Sequence, residues 1–233
     1  MSVEAQAPVN QSVERAARLL ALFSVEEPEL TLAELTSRLG TSKATAHRYA
    51  TALRRAGLLR ATPSGYTLGA RIVELAATAL AGLRIVKVAG PHLERLVASV
   101  NETAVLSVWD GEAAVVVRVD DNTDRLVRIS VPTGSRLPPD SAQGKIFRVW
   151  VLGEEVDDVR TTGVAFNERI VEGIAALAAP VFQGDEIVAA MALVGTTAAI
   201  PPDGRSAPAR ALRETAAGLS AELGFLRPER RSA

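Results

Sequence analysis

Basic side chains are concentrated in one segment of the sequence that contains no carboxylate. The 39 residues between Glu34 and Glu74 include seven of them: Arg38, Lys43, Arg48, Arg54, Arg55, Arg60 and Arg71. The net charge of the whole chain is only -1, so this segregation creates a local positive surface on a nearly neutral protein. A local positive surface attracts nucleic-acid phosphates, but a charge run alone is also compatible with a solvated basic face. The elements that carry these residues distinguish the two interpretations.

Two helices are predicted before the centre of this segment. Ser12 is interpreted as the N-cap of the first helix, which ends near Phe23 and has apolar residues at positions i, i+3, i+4 and i+7: Val13, Ala16, Ala17 and Leu20. Thr31 and Glu34 have the T-x-x-E spacing of a capping box and begin the second helix. Gly40 ends that helix, whose apolar stripe consists of Leu32, Leu35 and Leu39.

A third helix is predicted to begin at the N-cap Ser42. Its core face falls within one narrow arc: Ala46, Tyr49, Ala50, Leu53 and Gly57. The outward face is basic, hydroxylic and free of acids. Two capped helices separated by a break form a helix-turn-helix, in which the start of the last helix enters the major groove of DNA. The pattern therefore favours DNA binding over a solvated basic face.

The candidate DNA contacts lie at the start and on the outward face of the third helix, with one arginine from the hairpin that follows. They are Ser42, Lys43, Ala44, Thr45, His47, Arg48, Thr51, Arg55 and Arg60. Arg48 is the strongest candidate for reading a base edge. His47 is compatible with a base contact, a phosphate contact or plain exposure, and Arg54 and Arg55 contact phosphate or nothing. Tyr49 is expected to be a core residue because it lies on the apolar arc.

A β-hairpin is predicted directly after the third helix. Leu58–Ala61 and Tyr66–Leu68 form its short strands around the turn Pro63-Ser64-Gly65. We interpret the hairpin as a wing whose Arg60 meets phosphate. Phosphate contacts orient such a module, whereas base contacts from the third helix specify the sequence.

Residues 69–84 are predicted to form a linker helix with a continuous apolar stripe: Ile72, Leu75, Ala76, Ala79, Leu80 and Leu83. A stripe of this kind has to be buried against another surface. That surface belongs either to a second subunit or to the same chain, and the sequence leaves both open. A two-fold dimer would suit a helix-turn-helix, because two recognition helices read two half-sites.

The remainder of the sequence predicts an α+β fold. The predicted strands are Val105–Trp109, Ala113–Val119, Leu126–Val131, Leu177–Phe182 and Ile187–Val194, with hairpins across Asp110-Gly111 and Gly184-Asp185. The predicted helices are Pro91–Ser99, a helix from Ser141 or Ala142 to Trp150, and a last helix from about Ser206 to Phe225, with a loop over residues 134–140. This order indicates an antiparallel-rich or mixed sheet with one face covered by helices.

The sequence contains no recognisable catalytic or metal-binding pattern. It has no cysteine and only two histidines, which excludes disulfides and zinc sites rich in cysteine or histidine. No phosphate-binding loop, dinucleotide fingerprint or nucleophile elbow occurs. We therefore predict no catalytic residue, metal or cofactor, and an enzyme is disfavoured. The absence of a signal peptide and of an apolar run of about 18 residues predicts a cytoplasmic protein with no membrane partner.

The order of these segments resembles the IclR family of bacterial transcription regulators. The resemblance is carried by SVERAARLLALF, TLAELTSRLGTSKATAHRYATALRRAGLLR, GYTLGARIVELA, NETAVLSVWDGEAAVVVRV and EGIAALAAPVFQGDEIVAAMALVG. It implies a winged helix-turn-helix domain over residues 1–68, a linker helix over 69–84 and a GAF-like effector-binding domain over 85–233. It also implies a homodimer or dimer of dimers that binds a palindromic operator in double-stranded DNA, with an affinity that a small-molecule effector changes.

The resemblance also implies candidate effector contacts. The segment PTGSRLPPDSAQGK and the later strands supply most of them, and Phe166 is added as an apolar neighbour: Leu137, Ala142, Gln143, Gly144, Phe166, Ile174, Ala176, Ala192 and Val194. Family members that hold small organic acids tend to have serines around the last strand, where this chain has Ala192 and Val194. An apolar or aromatic metabolite is therefore favoured over a glyoxylate-like one.

The chain departs from the family pattern after Trp150. Family members usually carry a helical excursion of several tens of residues there, but only VLGEEVDDVRTT separates Trp150 from Gly163. The effector site is then open, reshaped or lost. Our leading hypothesis is a dimeric, sequence-specific DNA-binding regulator, a repressor rather than an activator. The alternatives are a ligand-independent DNA-binding protein with a degenerate sensor domain, and a metabolite-binding module or enzyme that does not bind DNA.

Overall fold

A computed structural model of the chain describes residues 10–121, 129, 131–157 and 159–224. The chain divides into two compact units between Leu80 and Ala81. The elements of the first unit are α1 (Gln11–Leu20), β1 (Glu29–Leu30), α2 (Leu32–Leu39), α3 (Lys43–Arg55), β2 (Leu59–Ala61), β3 (Tyr66–Leu68) and most of α4 (Ala70–Gly82). The three strands form an antiparallel sheet in the order β1-β3-β2. β1 was not predicted from the sequence.

The caps of α2 and α3 confirm the predicted helix-turn-helix. The Thr31 side chain accepts a hydrogen bond from the Glu34 backbone, and the Glu34 carboxylate accepts one from the Thr31 backbone, which completes the capping box. Gly40 ends α2 in the left-handed region at φ 59°, where glycine has no steric penalty. Ser42 caps α3 by accepting from the Thr45 backbone.

The prediction for α1 was wrong at its start and for part of its apolar face, of which Ala16 and Leu20 do pack against the core. Asn10, not Ser12, is the N-cap, because the Asn10 side chain accepts from the Ser12 backbone N–H at 3.1 Å. Val13 is 64% exposed, whereas Leu19 is fully buried. The core of the first unit joins Leu19 to residues of β1, α2, α3 and β2: Leu30, Leu35, Ala50, Leu53 and Leu59. Tyr49 packs against this core, as predicted.

The segment predicted as one linker helix is interrupted at its end. α4 ends at Gly82, and Leu83 has an extended conformation as the N-cap of the next helix. No residue of α4 is buried in the single chain, and Val73 and Leu75 are 70% and 51% exposed. The apolar stripe of α4 is therefore largely uncovered.

The second unit is built on one antiparallel sheet of six described strands in the order β6-β5-β4-β9-β8-β7. Its elements are α5 (Arg84–Val100), β4 (Thr103–Trp109), β5 (Ala114–Asp120), β6 (Arg136–Leu137), α6 (Ala142–Trp150), α7 (Val159–Thr162), β7 (Ala165–Val171), β8 (Ile174–Gln183), β9 (Glu186–Thr196) and α8 (Ala207–Glu222). Both predicted hairpins are confirmed. The predicted strand Leu126–Val131 lies largely outside the described residues. β6, α7 and β7 were not predicted, and β6 falls in the segment interpreted as a loop.

Helices cover both faces of this sheet, which corrects the expectation of one covered face. α5 and α8 pack on one face, and α6 packs on the other. Small side chains on the α6 side let the helix approach the strands closely: Ala176, Ala178, Ala190 and Ala192. Phe147 of α6 is fully buried in this layer and its ring lies 5.5 Å from that of Trp109.

Gly144 allows the start of α6 to lie against the proline loop before it. A Cβ at this position would meet the carbonyl oxygens of Pro138 and Pro139. We expect Gly144→Ala to destabilise the protein by roughly 1–3 kcal/mol, because well-packed backbone has to move to admit the methyl group. The free energy of urea unfolding measures the effect. Gly82→Ala is the matched control, since a Cβ at Gly82 meets nothing within 4 Å; an equal loss in both variants would contradict the packing argument.

Candidate nucleic-acid interface and ligand cavity

The outward face of α3 is exposed, as the helical spacing of its residues predicts. Ala44, Arg48 and Arg55 are exposed and Thr51 is half-buried, while Ala46 and Ala50 on the opposite face are fully buried. Lys43 and His47 are exposed beside this row, and so is Arg60 on β2. Ser42 and Thr45 are hydrogen-bonded to each other at 2.9 Å, so they serve the N-cap of α3 in the free protein.

Two members of the basic run are neutralised by ion pairs, which corrects the simple count of positive charges. The Arg38 guanidinium donates two hydrogen bonds of 2.7 Å to the Glu27 carboxylate, and this lowers the pKa of Glu27. Arg71 lies 3.0 Å from Glu74. The others form no ion pair with a carboxylate in the described part of the chain: Lys43, Arg48, Arg54, Arg55 and Arg60. These five remain available to phosphates.

The wing is fixed by β1, a feature that the sequence did not reveal. The Glu29 carboxylate accepts hydrogen bonds from the Ser64 and Thr62 hydroxyls in the wing turn, and these bonds lower the pKa of Glu29. Gly65 passes so close to the Leu30 carbonyl that a side chain there would collide with it. The turn is therefore held against the rest of the first unit, and the backbone that carries Arg60 is fixed in position.

Tyr49 links α1 to α3 at the edge of the outward face. Hydrogen bonding from the Ser12 side chain, and to a smaller extent from Arg15, lowers the pKa of the Tyr49 hydroxyl despite an opposing desolvation effect. The Arg48 guanidinium carbon lies 5.9 Å from the centre of the Tyr49 ring. Tyr49 therefore contacts basic groups from two helices while its ring packs on the core.

A cavity of about 400 Å³ lies between the sheet, the start of α6 and the loop before α6. We call it the α6 cavity. Its lining consists of Ile129, Val131, Pro132, Ser135, Leu137, Pro138, Asp140, Ser141, Gln143, Asn167, Ile174, Ala176 and Val194. Asn167, Ala176 and Val194 form its floor, because they are direct neighbours across β7, β8 and β9. The lining is mostly apolar with a few polar groups, which is typical of small-molecule sites.

Five of the nine predicted effector contacts line this cavity: Leu137, Gln143, Ile174, Ala176 and Val194. Ala142 and Ala192 belong to the core behind it, and Gly144 packs on the proline loop. Phe166 is paired with Leu177, one residue away from the pair Asn167 and Ala176. Because successive strand residues point to opposite faces, Phe166 points away from the cavity and Asn167 points into it. The prediction of Asn167 would have required recognition of β7.

Three basic side chains hold the shortened segment after Trp150 in place. Lys145 of α6 donates to Asp157 at 2.8 Å and to the Phe166 carbonyl at 3.0 Å. Arg148 forms an ion pair of 2.7 Å with Glu154. Arg160 donates to the Val149 carbonyl at 2.7 Å. The short segment thus follows α6 closely, and the α6 cavity persists beside it.

The described residues contain neither a metal-binding cluster nor a membrane-spanning helix. No group of three or more histidine or acidic residues among them could hold a metal ion. None of their helices is long and apolar enough to cross a membrane.

A winged helix-turn-helix with an exposed basic recognition helix, followed by an α+β unit with a cavity, defines a class of DNA-binding transcriptional regulators. Residues 12–63 match the IclR helix-turn-helix domain, and residues 77–155 match the bacterial transcriptional regulator IclR C-terminal domain. The chain is 31% identical to the glycerol operon regulatory protein of Streptomyces griseus, over 92% of this chain and 96% of that protein. This chain belongs to the IclR family, and it is a DNA-binding transcriptional regulator of that type.

Two further proteins illustrate the range of the family. The chain is 26% identical to the DNA-binding transcriptional repressor YiaJ of Escherichia coli, over 97% of this chain and 92% of that protein. An IclR homologue of Microbacterium hydrocarbonoxydans, solved in complex with 4-hydroxybenzoate, shares the fold with a TM-score of 0.71, 22% identity and coverage of 91% of this chain and 99% of its own. The alignment with the Streptomyces protein spans 250 positions, more than the 233 residues of this chain, so that relative carries segments that are missing here.

The surroundings of Tyr49 predict an early ionisation. Only two tyrosines are present, so the Tyr66→Phe variant reports Tyr49 alone. We expect its tyrosinate absorbance to rise with a midpoint below the ordinary value of 10.0, because Ser12 and the cations of Arg15 and Arg48 stabilise the phenolate. Adding Ser12→Ala to the Tyr66→Phe protein removes the Ser12 hydroxyl and should raise the midpoint. A midpoint at or above 10.0 in the Tyr66→Phe protein would contradict the proposed contacts.

Proposed function

We propose that this regulator is a repressor that binds a palindromic operator as a two-fold dimer in the cytoplasm, and that an uncharged, apolar or aromatic metabolite in the α6 cavity controls its affinity for DNA. The exposed row on α3 carries the first half of this proposal. Ala44, Arg48 and Arg55 lie on one face with no carboxylate among them. Arginine can bind guanine through two hydrogen bonds, and small side chains beside it leave room for the base edges.

The uncovered stripe of α4 supports the dimer. Val73 and Leu75 are 70% and 51% exposed, and no residue of α4 is buried in the single chain. Apolar side chains repeated at helical spacing gain free energy when a partner removes them from water. An equivalent helix of a second copy provides a self-complementary partner, and two-fold symmetry then repeats the recognition helix on two half-sites.

Gln143 supports an effector in the α6 cavity. This side chain is only 4% exposed, lines the cavity and has no hydrogen-bond partner among the described residues. Because its amide has no partner in the described part of the chain, it offers both a donor and an acceptor to a ligand in the cavity. The surrounding wall of Ile174, Ala176 and Val194 suits an apolar or aromatic body.

The charge of the lining favours an uncharged effector. Asp140 is the charged side chain in the described lining, and no described lysine or arginine faces it there. Asp140 is solvent-exposed, and its carboxylate would repel a second carboxylate bound beside it. A carboxylate such as that of 4-hydroxybenzoate, which the Microbacterium protein holds, would therefore be less favourable here than a neutral analogue.

The outward face of α3, which we call the reading face from here on, is tested with DNA that the purified protein selects from genomic fragments. We expect Arg48→Ala to lower the affinity for the enriched palindrome roughly tenfold or more, because a bidentate base contact contributes about 1–3 kcal/mol. Its affinity for an unrelated duplex should change much less. Arg55→Ala should weaken both duplexes if it contacts phosphate. Fluorescence anisotropy on the full palindrome and on a single half-site separates reading from dimerisation.

Two outcomes of these measurements would contradict the proposed mode of DNA binding. If Arg48→Ala and Arg55→Ala both bind the palindrome normally, α3 is not the reader. If the full palindrome binds no better than a half-site duplex, the dimer proposal fails while DNA binding stands.

The α6 cavity is tested with a matched pair of probes, 4-hydroxybenzamide and 4-hydroxybenzoate. We expect the neutral amide to raise the melting temperature more than the carboxylate and to change operator affinity. Gln143→Leu keeps the size of the side chain but removes its amide, and Ala176→Phe fills the floor; both should abolish the response. Phe166→Leu is the matched control because its side chain lies on the other face of the sheet.

The response also discriminates the alternative of a degenerate sensor. Stabilisation by the amide in wild type, Gln143→Leu and Ala176→Phe alike would place binding elsewhere. A shift in melting temperature without any change in operator affinity would favour a ligand-independent repressor.

A further inference from the structure

A small polar cleft lies between α1 and the turn that joins α2 to α3. Its volume is about 170 Å³, and it is lined by Arg15, Arg18, Leu39, Gly40, Thr41 and Tyr49. Both arginines come from α1, far from the basic run in the sequence. They are exposed, so their guanidinium groups are accessible to a partner.

The cleft is electropositive. None of its lining residues is acidic, and neither arginine forms an ion pair with a carboxylate in the described part of the chain. Glu14 lies one helical turn before Arg18 on α1, but it does not line the cleft and forms no ion pair with either arginine in the described part of the chain. By contrast, Arg38 and Arg71 in the same unit are both neutralised. A guanidinium group that forms no ion pair with a protein carboxylate can bind a phosphate through two hydrogen bonds.

The cleft also borders the recognition helix. Thr41 directly precedes the N-cap of α3, and Tyr49 stands between the cleft and Arg48 on the reading face. An α-helix about 10–12 Å wide fills a major groove about 12 Å wide. Groups that border the start of such a helix therefore meet the phosphates on the wall of the groove.

We infer that Arg15 and Arg18 form a phosphate clamp on α1, which holds the DNA backbone beside the start of α3. Tyr49 is a positioning residue in this clamp, because it contacts Arg15 on one side and packs on the core with its ring. The inference rests on DNA binding by α3 and extends the interface to a helix that the basic run did not include. Phosphate contacts of this kind orient the recognition helix without reading sequence.

The experiment measures affinity against salt concentration for the full-length protein on an unrelated duplex and on the enriched palindrome. We expect Arg15→Gln and Arg18→Gln each to make the slope of log affinity against log salt shallower by about 0.9 per subunit, and so by about 1.8 for the proposed dimer, which corresponds to roughly sixtyfold weaker binding at about 0.1 M salt. The loss should be equal on both duplexes, because phosphates carry no sequence information. Arg18→Lys should retain the slope because it retains the charge.

The control is Arg95→Gln, which removes an exposed arginine from α5 in the other unit. It should leave the slope unchanged. Thermal unfolding checks that the α1 variants remain folded, and the other glutamine variant decides the test if one of the two does not. A wild-type slope in both glutamine variants overturns the clamp while DNA binding stands. Loss on the palindrome alone also overturns it, since that pattern belongs to base reading. Failure of the wild type to bind either duplex would overturn the DNA binding by α3 on which the clamp rests, and salt-independent binding of the wild type would overturn the clamp.

Discussion

Burial of one face of α3 determines the geometry of the whole DNA-binding surface. Ala46 and Ala50 are fully buried and lie where α1 and α2 pack against α3. Because each residue advances a helix by 100°, the small buried residues force Arg48 to the outside. The same packing brings α1 against the turn and creates the cleft of Arg15 and Arg18. Reading face and clamp therefore follow from one packing constraint.

In the second unit the strand alternation has the corresponding role. Asn167, Ala176 and Val194 share one face of three neighbouring strands, so the register of the strands places them together as the floor of the cavity. The alanines on this face bring α6 close, and Gly144 allows the proline loop to close over its start. The cavity thus depends on backbone packing. The short segment after Trp150 is held by Lys145, Arg148 and Arg160 and by the burial of Val156 and Val159 in the core.

Much of this architecture could be predicted from local sequence signals. The caps at Thr31 and Ser42 were recognisable because serine, threonine and a glutamate three positions later act over a single turn. Asn10 and Ser12 are both good caps, so local preference alone did not separate them. β7 was missed because AFNERIV has little alternation between apolar and polar residues, and this omission placed Phe166 on the wrong face. The pair Arg38 and Glu27 spans 11 residues through a loop, beyond any local pattern.

The positive charges that are close together in the sequence are not the same set as the unpaired positive charges on the folded surface. Along the chain, Arg38 belongs to the basic run and Arg15 does not. In the fold, Arg38 is neutralised by Glu27, whereas Arg15 and Arg18 stand free of described carboxylates beside α3. Coulomb attraction depends on distance in space and on whether a charge is already paired. The positively charged surface of the folded protein therefore includes less of α2 and more of α1 than the basic run in the sequence suggests. If an effector shifts the spacing of two such footprints in a dimer, operator binding must change effector affinity by the same factor, because the coupling of two binding free energies is reciprocal.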